Sequence, residues 1–363
     1  MNKKIKVCFF GIYDPLYNRY KVITEGLKAK KMDFSECGVN KNYGSYLKNL
    51  LFVNLFLIKK FLNIKKDFTH MVVWGYRESV FPAYLLSKIY RKKLIFDPVT
   101  SVYSTIVEER KLIPKFSFKA KLLFIYEKLA YKLPDHLLAT TEEFKQHFCN
   151  LFSIKPEKIS VLPVGGIVEK LHFKSLKKKK KNFKILYWGG FHPQHGVEFI
   201  IRAAKLVEEY AKGISFMLIG KGHSWEESIN LSKNLRVSNI IFTGYLSDEK
   251  LRGVIINSDL ILGFFGSSQR AGRSIGNKVF EGLSYGKPVI TEKSKAVRRF
   301  FTHKKELYLV KPNNEKEIAE GIINLHEDAK LREKIALCGY KRLKRDFSEG
   351  KIAEKMINLI SVV

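Results

Sequence analysis

Cysteine is scarce and scattered. Cys8, Cys37, Cys149 and Cys338 form no C-x-x-C pair, which argues against a disulfide framework or a zinc site and fits a reducing compartment. Long apolar runs are missing too. The longest, residues 50–62, is interrupted by Asn54, Lys59 and Lys60 and is too short to cross a bilayer. The opening MNKKIKVCFFGIYDP has the order of a secretory leader. Its apolar run is short, however, no small-residue cleavage site follows, and Asp14-Pro15 ends it as a turn ends a strand. The expected location is cytoplasmic. Acidic residues are outnumbered, 35 Asp and Glu against 66 Lys and Arg, for a net charge of +31. Such an excess suits nucleic acid, a membrane surface or an anionic substrate. Lysine spread along the whole chain also fits a plain compositional bias. No helix-turn-helix, zinc-finger or aromatic ribonucleoprotein pattern accompanies the charge, so nucleic acid is not an expected partner.

What is present is a rhythm. The 363 residues are comfortable for two domains, and short apolar strands alternate with amphipathic helices throughout. Strand candidates in the first half are 5–10, 71–74, 94–97, 136–140 and 159–163. In the second half they are 184–188, 215–219, 240–242, 260–264, 288–291 and 307–310. Strands this apolar, separated by helices, imply parallel sheets covered on both faces. The fold class expected is α/β, with two Rossmann-like domains facing a cleft. The first domain is expected over 1–173 and a lysine-rich linker over 174–183. The second is expected over 184–347, and a last helix at about 348–363 is expected to pack back on the first domain.

The loops after the strands carry the chemistry, because ligands of open parallel sheets bind beyond the carboxyl ends of strands. DLILGFFGSSQRAGRSIGNKVFEGLSYGKPVIT (259–291) reads as a strand, a Gly/Ser loop with Arg270 and Arg273, and a helix beginning near Gly276. A helix N-terminus offers free amides and the positive end of its dipole to an anion, and Lys278 adds a cation. Glu281 shares a helix face with Asn277, one turn earlier. A carboxylate beside a cationic loop suits a ligand with both phosphates and hydroxyls; the alternative is an ordinary βα connection with a solvated basic loop. KILYWGGFHPQHGV (184–197) places Gly189 and Gly190 where backbone can approach a phosphate closely, with His192 or His195 as donors. FMLIGKGHS (216–224) places Gly220, Lys221 and Gly222 in the next such loop.

In the first half, FGIYDPLYNR (10–19) puts Gly11, Tyr13 and Arg19 beyond the first strand. FDPVTSVYSTIVEER (96–110) puts Asp97, Ser101 and Tyr103 beyond a later one. Asp97 is a candidate general base, or it holds the turn before Pro98. The Trp74-Gly75-Tyr76-Arg77 stretch ends a third strand with aromatic faces suited to a sugar or lipid pocket.

GNKVFEGLSYGKPVIT resembles the signature of family-4 retaining glycosyltransferases of the GT-B fold. YWGGFHPQHGVEFIIRAAKLV and LIGKG occupy the preceding donor loops of that family, and FGIYDP and FDPVTSVYSTIVEER resemble its acceptor domain. The resemblance implies sugar transfer, with retention and without a metal, from a nucleotide diphosphate sugar to a glycan or lipid-linked hydroxyl. No cofactor is implied beyond that substrate. Glu281 would bind the ribose hydroxyls, while Gly189, Gly190 and residues 220–222 would frame the diphosphate and base. Where the family often carries a Glu this chain has Arg273, and where it carries Arg and Lys in the first donor loop this chain has Gly190 and His195. Arg270, Arg273 and Lys278 are expected to supply the missing charge. Gly11, Tyr13, Arg19, Ser101 and Tyr103 are the expected acceptor contacts, and His195 and Asp97 are the candidates for proton transfer. A sugar-nucleotide epimerase and a catalytically silent binding subunit are the alternatives. The stretches 46–66 and 113–132, apolar with interleaved lysine, are candidate helices for an anionic membrane surface; for the first, a core helix is the simpler reading.

Overall fold

A computed structural model describes residues 5–39, 52–169 and 182–363. The lysine run 177–181 and most of the expected linker lie outside them. The chain forms two units. The first runs to Val164 and regains the chain at Glu349–Val363; the second is Gly165–Ser348. The expected boundary at 173 is therefore corrected to Val164/Gly165. The switch uses a Pro-Val-Gly-Gly stretch in which Gly165 takes φ +74°, whereas the lysine run marks composition and not the change of unit.

The first unit is built on strands β1 (Val7–Ile12), β2 (Phe34–Val39), β3 (His70–Trp74), β4 (Lys93–Asp97), β5 (His136–Ala139) and β6 (Ile159–Val161). All pair in parallel in the order β2-β1-β3-β4-β5-β6. The sequence reading misses β2, FSECGV. It is an edge strand whose Ser35 and Glu36 break the apolar run, as edges tolerate. The connecting helices are α1 (Asn18–Ala29), α2 (Asn54–Leu62), α3 (Val80–Ile89), α4 (Phe118–Lys132) and α5 (Glu142–Phe152). Side chains alternate across β1. Cys8, Phe10 and Ile12 join one continuous core with Leu57, Leu86, Tyr131 and Phe148 of α2 to α5. Phe9 faces the other way and meets Tyr20 of α1 edge-on at 5.6 Å. The C-terminal helix Glu349–Ile360 lies against α1 so closely that a Cβ on Gly26 would fall 2.0 Å from the Glu349 carbonyl oxygen.

The second unit holds β7 (Phe183–Trp188), β8 (Ile214–Ile219), β9 (Ile240–Gly244), β10 (Leu260–Leu262), β11 (Val289–Glu292) and β12 (Tyr308–Val310), in the order β12-β11-β10-β7-β8-β9 and parallel. Its helices include α6 (Val197–Tyr210), α7 (Trp225–Asn234), α8 (Asp248–Asn257), α9 (Gln269–Arg273) and α10 (Asn277–Ser284). Chain order reverses between β7 and β10, as it does between β1 and β3 in the first unit. These are the topological switch points where such sheets bind ligands.

One buried carboxyl sets a pH dependence. Glu292, the last residue of β11, is buried, its Oε1 has no hydrogen bond, and burial pushes its carboxyl up to about 8. Between its ordinary range and that value the folded chain binds more protons than the unfolded chain, so stability falls as pH rises through this window. Glu292→Gln is expected to flatten that fall. Melting temperatures from pH 5 to about 8.5 check it: curves for wild type and variant that run parallel would show that Glu292 does not titrate there.

Candidate functional site

Helix α10 begins at Asn277, with Gly276 as its N-cap. A side chain on Gly276 would press within 3.0 Å of the Phe264 ring. This places Lys278 under the end of β7. Lys278 is buried, 5% exposed, and its Nζ makes no hydrogen bond. It sits over the Tyr187 ring at 3.9 Å and the Phe264 ring at 4.6 Å, contacts that hold an ammonium without satisfying its protons. Burial pushes its pKa well below the ordinary lysine value, against the pull of Glu281. Nζ points at Gly189, 3.4 Å from where a side chain there would begin. The result is a cation aimed at bare backbone at a helix N-terminus, an arrangement that receives an anion.

Glu281 follows one turn later, half-buried, and its Oε2 accepts from Trp188 Nε1 at 2.9 Å. The carboxylate is thus held at the tip of β7. Beside it, Gly189 and Gly220 allow two loops to touch backbone to backbone: a Cβ on Gly220 would fall 2.1 Å from the Gly189 oxygen, and one on Gly222 would fall 2.4 Å from the Phe191 nitrogen. Phe191 N donates to the Lys221 oxygen at 3.3 Å. The Lys221 side chain itself is exposed, 5.7 Å from the Trp225 ring. Arg270 and Arg273 lie on the short helix α9 and not on an open loop, and Arg273 Nη2 donates to Gln269 Oε1 at 2.6 Å.

His195 does not have the expected donor role. Tyr187 Oη donates to the Gly190 oxygen at 2.9 Å and lies 2.8 Å from His195 Nδ1. One hydroxyl proton serves both contacts only if Nδ1–H donates to Tyr187, which leaves Nε2 as an acceptor. Burial first, then the nearby Lys278, lowers the imidazole pKa to about 2. A neutral ring stacked on Phe264 at 4.2 Å cannot supply a phosphate with a proton at neutral pH. Sequence reasoning missed Tyr187, Trp188 and Phe264. The signal was the aromatic pair directly before Gly189-Gly190 and the Phe264-Phe265 pair after β10.

In the first unit the reading of several residues changes. Asp97 and Arg19 are both buried and form an ion pair, Nε to Oδ2 at 2.7 Å. Trp74 Nε1 donates to the same oxygen at 2.9 Å, and Arg19 Nη1 donates to the Leu162 and Pro163 oxygens. Asp97 is therefore no general base and Arg19 no acceptor contact; together they tie α1, β3, β4 and the chain after β6. Ser101 and Tyr103 are also corrected. Glu127 of α4 accepts from Ser101 Oγ at 2.9 Å and from the Val102 and Tyr103 amides at 2.7 Å each. These residues fold their loop around an internal carboxylate, whose pKa burial still raises. Gly11 keeps backbone contact with Trp74, where a Cβ would fall 2.5 Å from its oxygen. Tyr13, itself largely buried, lines a cavity of about 360 Å³ at the β1/β3 switch point with Tyr17, Trp74, Tyr76, Arg77 and Glu127.

Two parallel six-stranded α/β units, each with a site at its switch point, define the GT-B class of fold. The solved structure of HepE from Anabaena with UDP and glucose matches 99% of this chain and 100% of its own, at a TM-score of 0.72 and 14% identity. Sucrose-phosphate synthase from Thermosynechococcus elongatus matches 98% of each chain at a TM-score of 0.72 and 13% identity. Residues 168–342 match the model of glycosyl transferases group 1. The glycosyltransferase MJ1069 of Methanocaldococcus jannaschii is 26% identical over 258 residues, 66% of this chain and 64% of the relative. The capsular polysaccharide biosynthesis glycosyltransferase CapM of Staphylococcus aureus is 27% identical over 253 residues, again 66% and 64%. The match thus spans a little under two thirds of each of these relatives. The chain is thus similar to the glycosyl transferases group 1 family over residues 168–342, a little under half of its length.

Proposed function

We propose that this protein transfers a sugar from a nucleotide diphosphate sugar to a hydroxyl of a glycan or lipid-linked acceptor, with retention of configuration. The observation that carries this reading is the buried, hydrogen-bond-free Nζ of Lys278, aimed at Gly189 with the Trp188-held Glu281 one helical turn away. A buried cation lacking a partner is costly on its own. A diphosphate supplies that partner, and Glu281 accepts from the vicinal hydroxyls of a ribose. As the glycosidic bond breaks, negative charge grows on the leaving diphosphate. Lys278 and the start of α10 are already oriented toward it, so no reorganisation is needed at that moment. In this scheme the leaving phosphate takes the acceptor proton, since neither His195 nor Asp97 is placed to do so, and charge is balanced without a metal ion. The acceptor enters the aromatic cavity lined by Tyr13, Trp74 and Tyr76. The UDP in the HepE structure makes uridine diphosphate sugars the first donors to test.

The test follows nucleoside diphosphate release from a panel of nucleotide sugars, together with nucleotide affinity in Glu281→Ala. A hydrogen bond to a charged group contributes about 1.5–3 kcal/mol, so affinity should fall roughly ten- to a hundredfold. An unchanged constant in a folded variant would remove Glu281 from the ribose site.

A further inference from the structure

The first unit carries an apolar surface that its own fold does not cover. Among the described residues, twelve of the nineteen exposed large apolar side chains lie on α2, α3, α4 or the segments that lead into α2 and α4. The second unit contributes three: Tyr210, Ile241 and Tyr245. Helices α2 to α4 belong to one layer, since their inner faces meet the same core under the sheet. They are neighbours as well: Asn54 of α2 bonds the Glu78 oxygen just ahead of α3 at 3.4 Å, and Phe81 of α3 stacks on Tyr126 of α4 at 4.7 Å.

On α4 the outward residues Phe118, Leu122, Ile125 and Leu129 are all exposed. At about 100° per residue they fall within one arc of roughly 60°. Exposed Lys119, Lys121 and Lys132 flank that stripe, and Lys115 and Phe116, the latter 87% exposed, precede it. Leu85 and Ile89 extend the apolar surface on α3 with Lys88 between them, and Leu55 and Phe56 extend it on α2 with Lys59 and Lys60 following. A soluble protein seldom leaves so continuous an apolar face in water, and charge here is one-sided. Residues 111–132 hold six lysines and one acidic residue, and that residue, Glu127, is buried.

We infer that the outer face of α2, α3 and α4 docks on an anionic bilayer. Apolar side chains enter the headgroup boundary while the flanking lysines meet the lipid phosphates. A core helix is the simpler reading of α2 from its sequence, yet α2 buries only Leu57 and Phe61. This docking stands independently of the nucleotide site, so a failed vesicle assay would leave donor binding untouched, and the reverse.

The experiment is co-sedimentation of the full chain with phosphatidylcholine vesicles, with and without phosphatidylglycerol, at low and high salt. Wild type should bind the anionic vesicles, and high salt should weaken that binding. Replacing Lys115, Lys119, Lys121 and Lys132 together by Gln should lower the partition constant by about two to three orders of magnitude, at roughly fivefold per surface cation. Leu122→Gln, Ile125→Gln and Leu129→Gln combined should lower it by about tenfold or more at every salt concentration. All seven positions are at the surface, and unchanged melting and nucleotide binding confirm the fold of both variants. Absence of wild-type binding at low salt would overturn the inference. So would a triple Gln variant that binds as wild type does, because adsorption would then be a general effect of the +31 charge. A wild-type dimer that the triple variant dissolves, with no vesicle binding, would overturn it too and assign the face to a second copy.

Discussion

Replacing Lys278 by Met is expected to weaken nucleoside diphosphate binding roughly thirtyfold to several thousandfold, the range for removing one partner of a buried charge pair, about 2–5 kcal/mol. The same change should stabilise the ligand-free protein. Lys278 is buried, has no hydrogen bond, and is pushed toward neutrality by its surroundings, and an apolar side chain of similar length removes that cost. The melting temperature should rise by about 2–4 °C for each kcal/mol recovered. Calorimetric titration and a thermal melt on the same preparation check both signs. A variant that loses stability and keeps its affinity would make Lys278 a structural residue.

Arg19→Leu is expected to cost about 3–5 kcal/mol of stability, because it leaves the buried Asp97 without its counter-ion. Urea denaturation gives the value. Replacing both partners, Arg19→Leu with Asp97→Leu, should recover most of it, since an apolar pair needs no counter-charge. If the single variant is as stable as wild type, the pair is not what ties α1 to the ends of β3 and β4. Arg19 would then return to the acceptor contacts expected from its position after β1.

The contrast between these two residues shows what the sequence can convey. Local signals were legible. Among the described residues the apolar runs located eleven of the twelve strands, and only the half-polar edge strand β2 escaped. Gly276, Asn277 and Lys278 read correctly as a helix start, because N-terminal chemistry is written within a few residues. Long-range pairing was not legible. Arg19 and Asp97 are 78 residues apart, and Glu127 lies 26 residues from the Ser101 it holds. Arg19 and Ser101 follow strands and Asp97 ends one, where a binding role is the natural reading, and only the fold shows that the partner of each is internal. His195 failed for the same reason: Tyr187 and Phe264, which turn and stack the ring, come from the ends of two different strands. The amphipathic stripe of α4 was visible in part, but its continuation over α2 and α3 depends on which faces the core takes.

In the proposed reaction the second unit holds a nucleotide by its diphosphate, between Lys278, Gly189 and the start of α10. The most direct measurement is the wild-type affinity for a nucleoside against that for the same nucleoside diphosphate, at low and high salt. The diphosphate should bind more tightly by roughly thirtyfold or more, and salt should narrow the gap only in part, because a buried charge is weakly screened. Equal affinity for the two ligands would contradict this and leave Lys278 a structural residue, with Arg270 and Arg273 as ordinary side chains of α9.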